Sequence, residues 1–99
     1  MRLLKNSPPK LNLREDRLVS VMQVLGDKTR FRMFKIMLSG KEMCVTDIAD
    51  VLGISSPAVS QHFRIFELVG LVDRTRKGQK ICYSLKTNDP LAQDIIQIT

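Results

Sequence analysis

A chain of 99 residues holds one domain of modest core, which a partner subunit would help to stabilise. Hydrophobic residues make up 43% and charged residues 26%, which excludes a disordered chain, and no apolar run is long enough to span a bilayer. The net charge of +6 and pI of about 9.8 favour a polyanionic partner, of which nucleic acid is the commonest. No apolar segment follows Arg2 and Lys5, so no signal peptide is expected and the protein is placed in the cytoplasm. In a reducing cytosol Cys44 and Cys82 are expected to be free thiols rather than a structural disulfide.

Residues 1–14 read as a basic N-terminal arm, with Arg2, Lys5, Lys10 and Arg14 around a helix-blocking Pro8-Pro9, and residues 15–99 as the binding domain. Leu18, Val21, Met22 and Leu25 fall at i, i+3, i+4 and i+7, which predicts a helix over 15–25, ended by Gly26. Asp27 suits the cap of a second helix reaching about Ser39, with Phe31, Phe34 and Leu38 inward and Lys28, Arg30, Arg32 and Lys35 outward, stopped by Gly40. Met43-Cys44-Val45 is a short extended candidate. Thr46 or Asp47 then caps a compact helix with Ile48, Val51 and Leu52 inward and Gly53 at its end. Ser55-Ser56-Pro57 opens a helix to about Val69, closed by Gly70. Residues 71–76 and Gln79–Leu85 form a hairpin about Lys77-Gly78, with Ile81, Tyr83 and Leu85 on one face. Asn88 or Asp89, before Pro90, starts a last helix with Leu91, Ile95 and Ile98 on one stripe.

This order describes an α+β, mainly α, fold: a winged helix-turn-helix with a two-stranded β-wing and flanking dimerisation helices. A helix-turn-helix needs a small residue where two helices approach, a turn residue tolerant of positive φ, and a branched residue sent back from the second helix. Ala49, Gly53 and Val59 meet these needs at the right spacing. On a helical wheel Val59, His62, Phe63, Phe66 and Val69 share the core side of the second helix. Pro57, Ser60, Gln61 and Arg64 share the opposite side, where Gln suits adenine, Arg suits guanine and Ser suits several groups in a major groove, and Ser56 is a further candidate for the groove. Arg74, Arg76, Lys77 and Lys80 crowd the hairpin against Asp73 alone, which suits phosphates or a minor groove. Lys28 and Arg30 are further phosphate candidates. The apolar stripes Leu18, Val21, Met22, Leu25 and Leu91, Ile95, Ile98 exceed what one small core needs and fit a two-fold dimer.

From Gly26 onward the sequence resembles the ArsR/SmtB family of repressors. The resemblance is carried by Leu25-Gly26-Asp27-Lys28-Thr29-Arg30-Phe31-Arg32, Glu42 to Ala49, Ser55 to Phe63, Gly70-Leu71-Val72 and Arg76 to Leu85. It implies a homodimer built on the first and last helices, a palindromic double-stranded DNA operator, repression, and release by an inducer. Metal-sensing members carry Cys-x-Cys where this chain has Cys44-Val45-Thr46, and the last helix has Asp89 and Asp94 without His, so no metal or other cofactor is expected. His62, the one histidine, is expected to be a packed or boundary residue. Pairing of the short strand with the hairpin's return strand, usual in winged helices, brings Cys44 near Cys82 and leaves open a thiol-based redox response. The other alternative is a protein-interaction module that keeps the winged fold without reading DNA. An enzyme is excluded, because no nucleophile with a base, paired carboxylates near histidine or phosphate-cradling loop is present in the sequence.

Overall fold

The computed structural model describes residues 7–39 and 42–98. Arg2 and Lys5 of the expected arm, and Gly40, expected to stop the second helix, lie outside the described residues. The first helix, α1 (Leu13–Leu25), starts two residues earlier than its apolar spacing implies. The cause is Asn12, whose side chain accepts from the Glu15 amide at 2.8 Å while the Glu15 carboxylate accepts from the Asn12 amide at 3.0 Å. Leu13 and Arg14 therefore belong to the helix, not to the arm. Asp27 caps α2 (Lys28–Met37) as expected, accepting from the Arg30 amide, and that hydrogen bond holds its carboxyl below the usual carboxylate range.

β1 (Met43–Cys44) leads directly into α3 (Val45–Leu52), so the helix begins before either expected cap. Asp47 sits inside its first turn, where its carboxylate accepts from the Cys44 amide at 3.4 Å. Gly53 closes α3 with φ of 66° and donates to the Ala49 carbonyl, which is the left-handed C-cap the turn requires. Ser55 then caps α4 (Ser56–Leu68) through the Ala58 amide, with Pro57 in the first turn. β2 (Val72–Lys77) and β3 (Lys80–Leu85) form the hairpin, paired from Val72↔Leu85 to Lys77↔Lys80. Gly78, at φ of 64°, supplies the first position of the two-residue loop, a type II′ demand. α5 (Pro90–Ile98) is capped by Asp89, which accepts from the Ala92 amide at 2.9 Å.

β1 pairs antiparallel with β3, so the expected two-stranded wing becomes the larger part of a three-stranded sheet ordered β1-β3-β2. The core joins Val21 and Val24 of α1, Met33, Phe34 and Met37 of α2, Ile48 and Ala49 of α3, Val59, Phe63 and Phe66 of α4, and Val72, Tyr83 and Leu85 of the sheet. Burying each large side chain of this set removes enough apolar surface to stabilise the fold by about 1.5–3 kcal/mol. Two inward assignments need correcting. Val51 is 64% exposed, because the short α3 turns only Val45, Ile48 and Ala49 fully inward. Phe31 is half-buried at the edge of the core, beside Phe34, while Leu38 is half-buried and packs against the core as expected.

Candidate nucleic-acid interface

α3 and α4 meet across the Gly53 turn, and buried Val59, Phe63 and Phe66 fasten α4 to the rest of the chain. The opposite side of α4 is thereby turned to solvent. Pro57, Gln61 and Arg64 are exposed there, and Ser56 and Ser60 are half-buried at its margins. The side chains of Gln61 and Arg64 make no hydrogen bond or ion pair within the described residues, so their polar ends are available to an external partner. His62 is half-buried at the boundary, as expected, with its Nδ1 shielded and without a hydrogen-bond partner among the described residues.

The wing is joined to α4 through an aromatic stack. Phe63 and Tyr83 lie 4.1 Å apart at their ring centroids, with 10° between planes. The Tyr83 hydroxyl donates to Glu67 Oε1 at 3.2 Å. Burial, followed by the Glu67 charge, pushes the Tyr83 phenol above its ordinary range. The second Glu67 oxygen lies 3.8 Å from Arg74 Nε, so one carboxylate of α4 holds both a core phenol and a wing guanidinium.

Other predicted cations are also occupied. Lys77 Nζ pairs with Glu42 Oε1 at 2.5 Å. The Lys77 ammonium, by hydrogen bond and then by charge, holds Glu42 below the usual carboxylate range. Arg76 Nε donates back to the Gly78 carbonyl at 3.1 Å, within the hairpin turn. Lys80 stays exposed, and Lys28 is exposed at the start of α2. Arg30 departs most from expectation: its Nε donates to the Val24 carbonyl at 2.7 Å and serves the end of α1. The wing charge is therefore not opposed by Asp73 alone. Asp73 faces Lys86 at 3.8 Å, while Glu42, just before β1, and Glu67 of α4 reach the wing. Sequence spacing contains no signal for these partners, because only the strand order brings them in.

Cys44 and Cys82 face each other across β1 and β3 and are joined as a disulfide, which corrects the expectation of free thiols. The expected pairing of the short strand with the hairpin's return strand sets them directly opposite each other, although they are 38 residues apart in the chain. Cys44 also lines a cleft of about 230 Å³ between the start of α3 and the wing tip, together with Thr46, Ser60, Gln79 and Lys80.

A further cluster escaped sequence reasoning. Arg17 of α1 pairs with Asp89 at 2.8 Å and donates to the Val69 carbonyl at 3.2 Å and the Gly70 carbonyl at 3.4 Å. It ties α1 and the cap of α5 to the end of α4, and its hydrogen bond holds the Asp89 carboxyl below the usual range. The apolar stripes divide around this tie. Val21 is fully buried in the chain's own core, so it is not available to a partner. Leu18, Met22 and Ile98 are exposed, and Leu25, Leu91 and Ile95 are half-buried.

A sequence model described as "Bacterial regulatory protein, arsR family" matches residues 27–74. The chain is 37% identical over 68 residues to the transcriptional repressor SdpR of Bacillus subtilis, covering 69% of this chain and 74% of SdpR. Against several other curated relatives it spans about half of their length. Among solved structures, HlyU of Vibrio cholerae superposes with a TM-score of 0.78 at 20% identity, covering 89% of this chain and 92% of that one. Mb0332 of Mycobacterium bovis, described as a homodimeric winged helix-turn-helix DNA-binding domain, superposes with a TM-score of 0.73 at 22% identity, covering 86% and 79%. The helix-turn-helix, the wing and these likenesses agree: the chain belongs to the arsR family of bacterial regulatory proteins, which are DNA-binding transcription regulators.

Proposed function

We propose that this protein is a cytoplasmic repressor that binds a palindromic operator as a homodimer. The observation that carries the reading is the exposed row Pro57, Gln61 and Arg64 on a helix whose other side is locked into the core. Gln61 and Arg64, with Ser56 and Ser60 beside them, read base edges in the major groove. Arg76 and Lys80 hold phosphates at the wing, joined by Lys77 and Arg74 once these leave Glu42 and Glu67. Lys28 is a further phosphate contact; Arg30 is a structural residue of the α1–α2 junction. The basic residues ahead of α1, Arg2, Lys5 and Lys10, add charge on the same polyanion. SdpR is a repressor and Mb0332 is homodimeric, which supports both halves of the reading. We infer no enzymatic role and assign no cofactor.

The test is a titration against duplex DNA from upstream of the gene, with a scrambled duplex as control, at several salt concentrations. Preferential binding to the upstream duplex, with affinity falling steeply as salt rises, is the expected result. Equal weak binding to both would defeat the operator reading. The dimer is tested separately. Met22 is 61% exposed and sits beside Leu18 and Val19, also exposed, on a helix already fixed by its buried side. Met22→Glu is therefore expected to give a folded monomer by sedimentation and to weaken operator binding, because half-sites are no longer engaged together. An unchanged dimer would move the interface away from α1.

A further inference from the structure

α1 is seated on the core by its second half, through Val21, Val24 and Leu25. In the first half, from Leu13 to Ser20, Arg17 is the one side chain that is not exposed. It reaches across to the far end of α4. Its Nη2 donates to the Val69 carbonyl at 3.2 Å and to the Gly70 carbonyl at 3.4 Å, and its Nε donates to Val69 as well. Carbonyls at a helix end have no partner within the helix, and they form the negative pole of its dipole. Gly70 turns the chain there with φ of 71°, and a Cβ on it would lie 3.6 Å from Arg17 Nη2.

The other arm of the guanidinium goes to α5. Nη1 pairs with Asp89 Oδ1 at 2.8 Å, while Asp89 Oδ2 accepts from the Ala92 amide at 2.9 Å and caps that helix. α5 buries only the small Ala92 completely. Val59, Phe63 and Phe66 fix α4 to the core of its own subunit, but the polar link from its end to the exposed flank of α1 and to the start of α5 is Arg17. Leu18, Met22 and Ile98, exposed on α1 and α5, belong to the surface proposed for the dimer.

We propose that Arg17 is a positioning residue that sets half-site spacing, by holding the end of α4 to the two dimer helices. This rests on the homodimer reading above. A two-fold dimer engages half-sites about 34–36 Å apart, one turn of DNA. The gain from the second half-site depends on how narrowly the linkage confines the second α4. A planar guanidinium shared by a carboxylate and two carbonyls fixes direction as well as distance, which a flexible ammonium does not. Without it each subunit can tilt on its dimer helices about the packed second half of α1. The native spacing is then favoured less, and a wrong spacing is penalised less.

The experiment uses the upstream duplex, the same duplex with two base pairs inserted at the centre of the protected footprint, and a duplex holding a single half-site. The insertion turns one half-site by about 70° relative to the other. The parent is expected to bind the lengthened duplex about 100-fold more weakly than the upstream one, near its single half-site affinity. Arg17→Gln is expected to cut that ratio to about tenfold or less, while staying dimeric by sedimentation and keeping single half-site affinity near the parent's. Arg17→Lys is expected to restore part of the ratio. Asp89→Asn keeps a good cap on α5 and removes the charge that holds the guanidinium, so it is expected to lower the ratio too, and it serves should Arg17→Gln fail to fold. A role confined to stability would lower the melting temperature and weaken all three duplexes alike. A ratio unchanged in the folded variants, with the parent still discriminating, would therefore overturn the proposal and leave the dimer reading standing. A monomeric parent that binds all three duplexes equally would defeat the dimer reading and the proposal with it.

Discussion

Phe63→Ala is expected to destabilise the protein by about 3–5 kcal/mol, the range for removing a fully buried aromatic ring. Phe63 has no exposed surface, stacks on Tyr83 at 4.1 Å and lies 6.2 Å from Phe66, centroid to centroid. One ring thus joins the helix proposed to read bases to the strand that carries the wing. Domains of this size are stable by about 5–15 kcal/mol in all, so the loss is a large share of the total. A midpoint lowered by more than about 12 °C is the expected thermal result. Phe63→Leu keeps most of the volume and loses the stack, so it should cost about 1–3 kcal/mol and melt between the two. A Phe63→Ala midpoint within a few degrees of the parent would mean that α4 and the wing are held together by something other than this stack.

The elements that sequence made legible are those fixed by local chemistry. Asp27, Ser55 and Asp89 each accept a backbone N–H as a helix cap, and Gly53 and Gly78 adopt the positive φ that their turns need. Ala49 and Val59 are buried where the two helices of the motif approach. Each of these demands is set by neighbours within a few residues, so spacing alone expresses it.

The residues that spacing could not place depend on contacts between distant segments. Arg30 reads as a solvent cation on the polar side of α2, but the turn at Gly26-Asp27 folds it back on the Val24 carbonyl. Arg74 and Lys77 read as free wing charges, yet the order β1-β3-β2 and the position of α4 bring carboxylates to both. Val21 belongs to a stripe that looks like an interface, and only the packing of α1 against the core shows that it is spent within the chain. Arg17 carries no motif. Its partners are 52, 53 and 72 residues away, so its tie across α1, the end of α4 and the start of α5 exists only in three dimensions. That tie gives the proposed dimer helices a direct hold on the recognition helix.

Gln61→Ala and Arg64→Ala are each expected to cost about 1–3 kcal/mol on the operator, roughly fivefold to 150-fold in affinity, and much less on a scrambled duplex. Both side chains are exposed on α4 and make no hydrogen bond or ion pair within the described residues. Their truncation therefore leaves the fold intact, and the loss appears in discrimination rather than in melting temperature. Lys80→Ala serves as the contrast. Lys80 is an exposed wing cation at the tip of the hairpin, where phosphates are contacted irrespective of sequence. Its removal should weaken binding to both duplexes alike and reduce the log–log salt slope by about 0.9. The two classes of change separate on one plot, of specific against non-specific affinity. Gln61→Ala and Arg64→Ala fall off the diagonal and Lys80→Ala moves along it. Should all three move along the diagonal, α4 would be binding DNA by charge alone, and base reading would have to be sought on another surface.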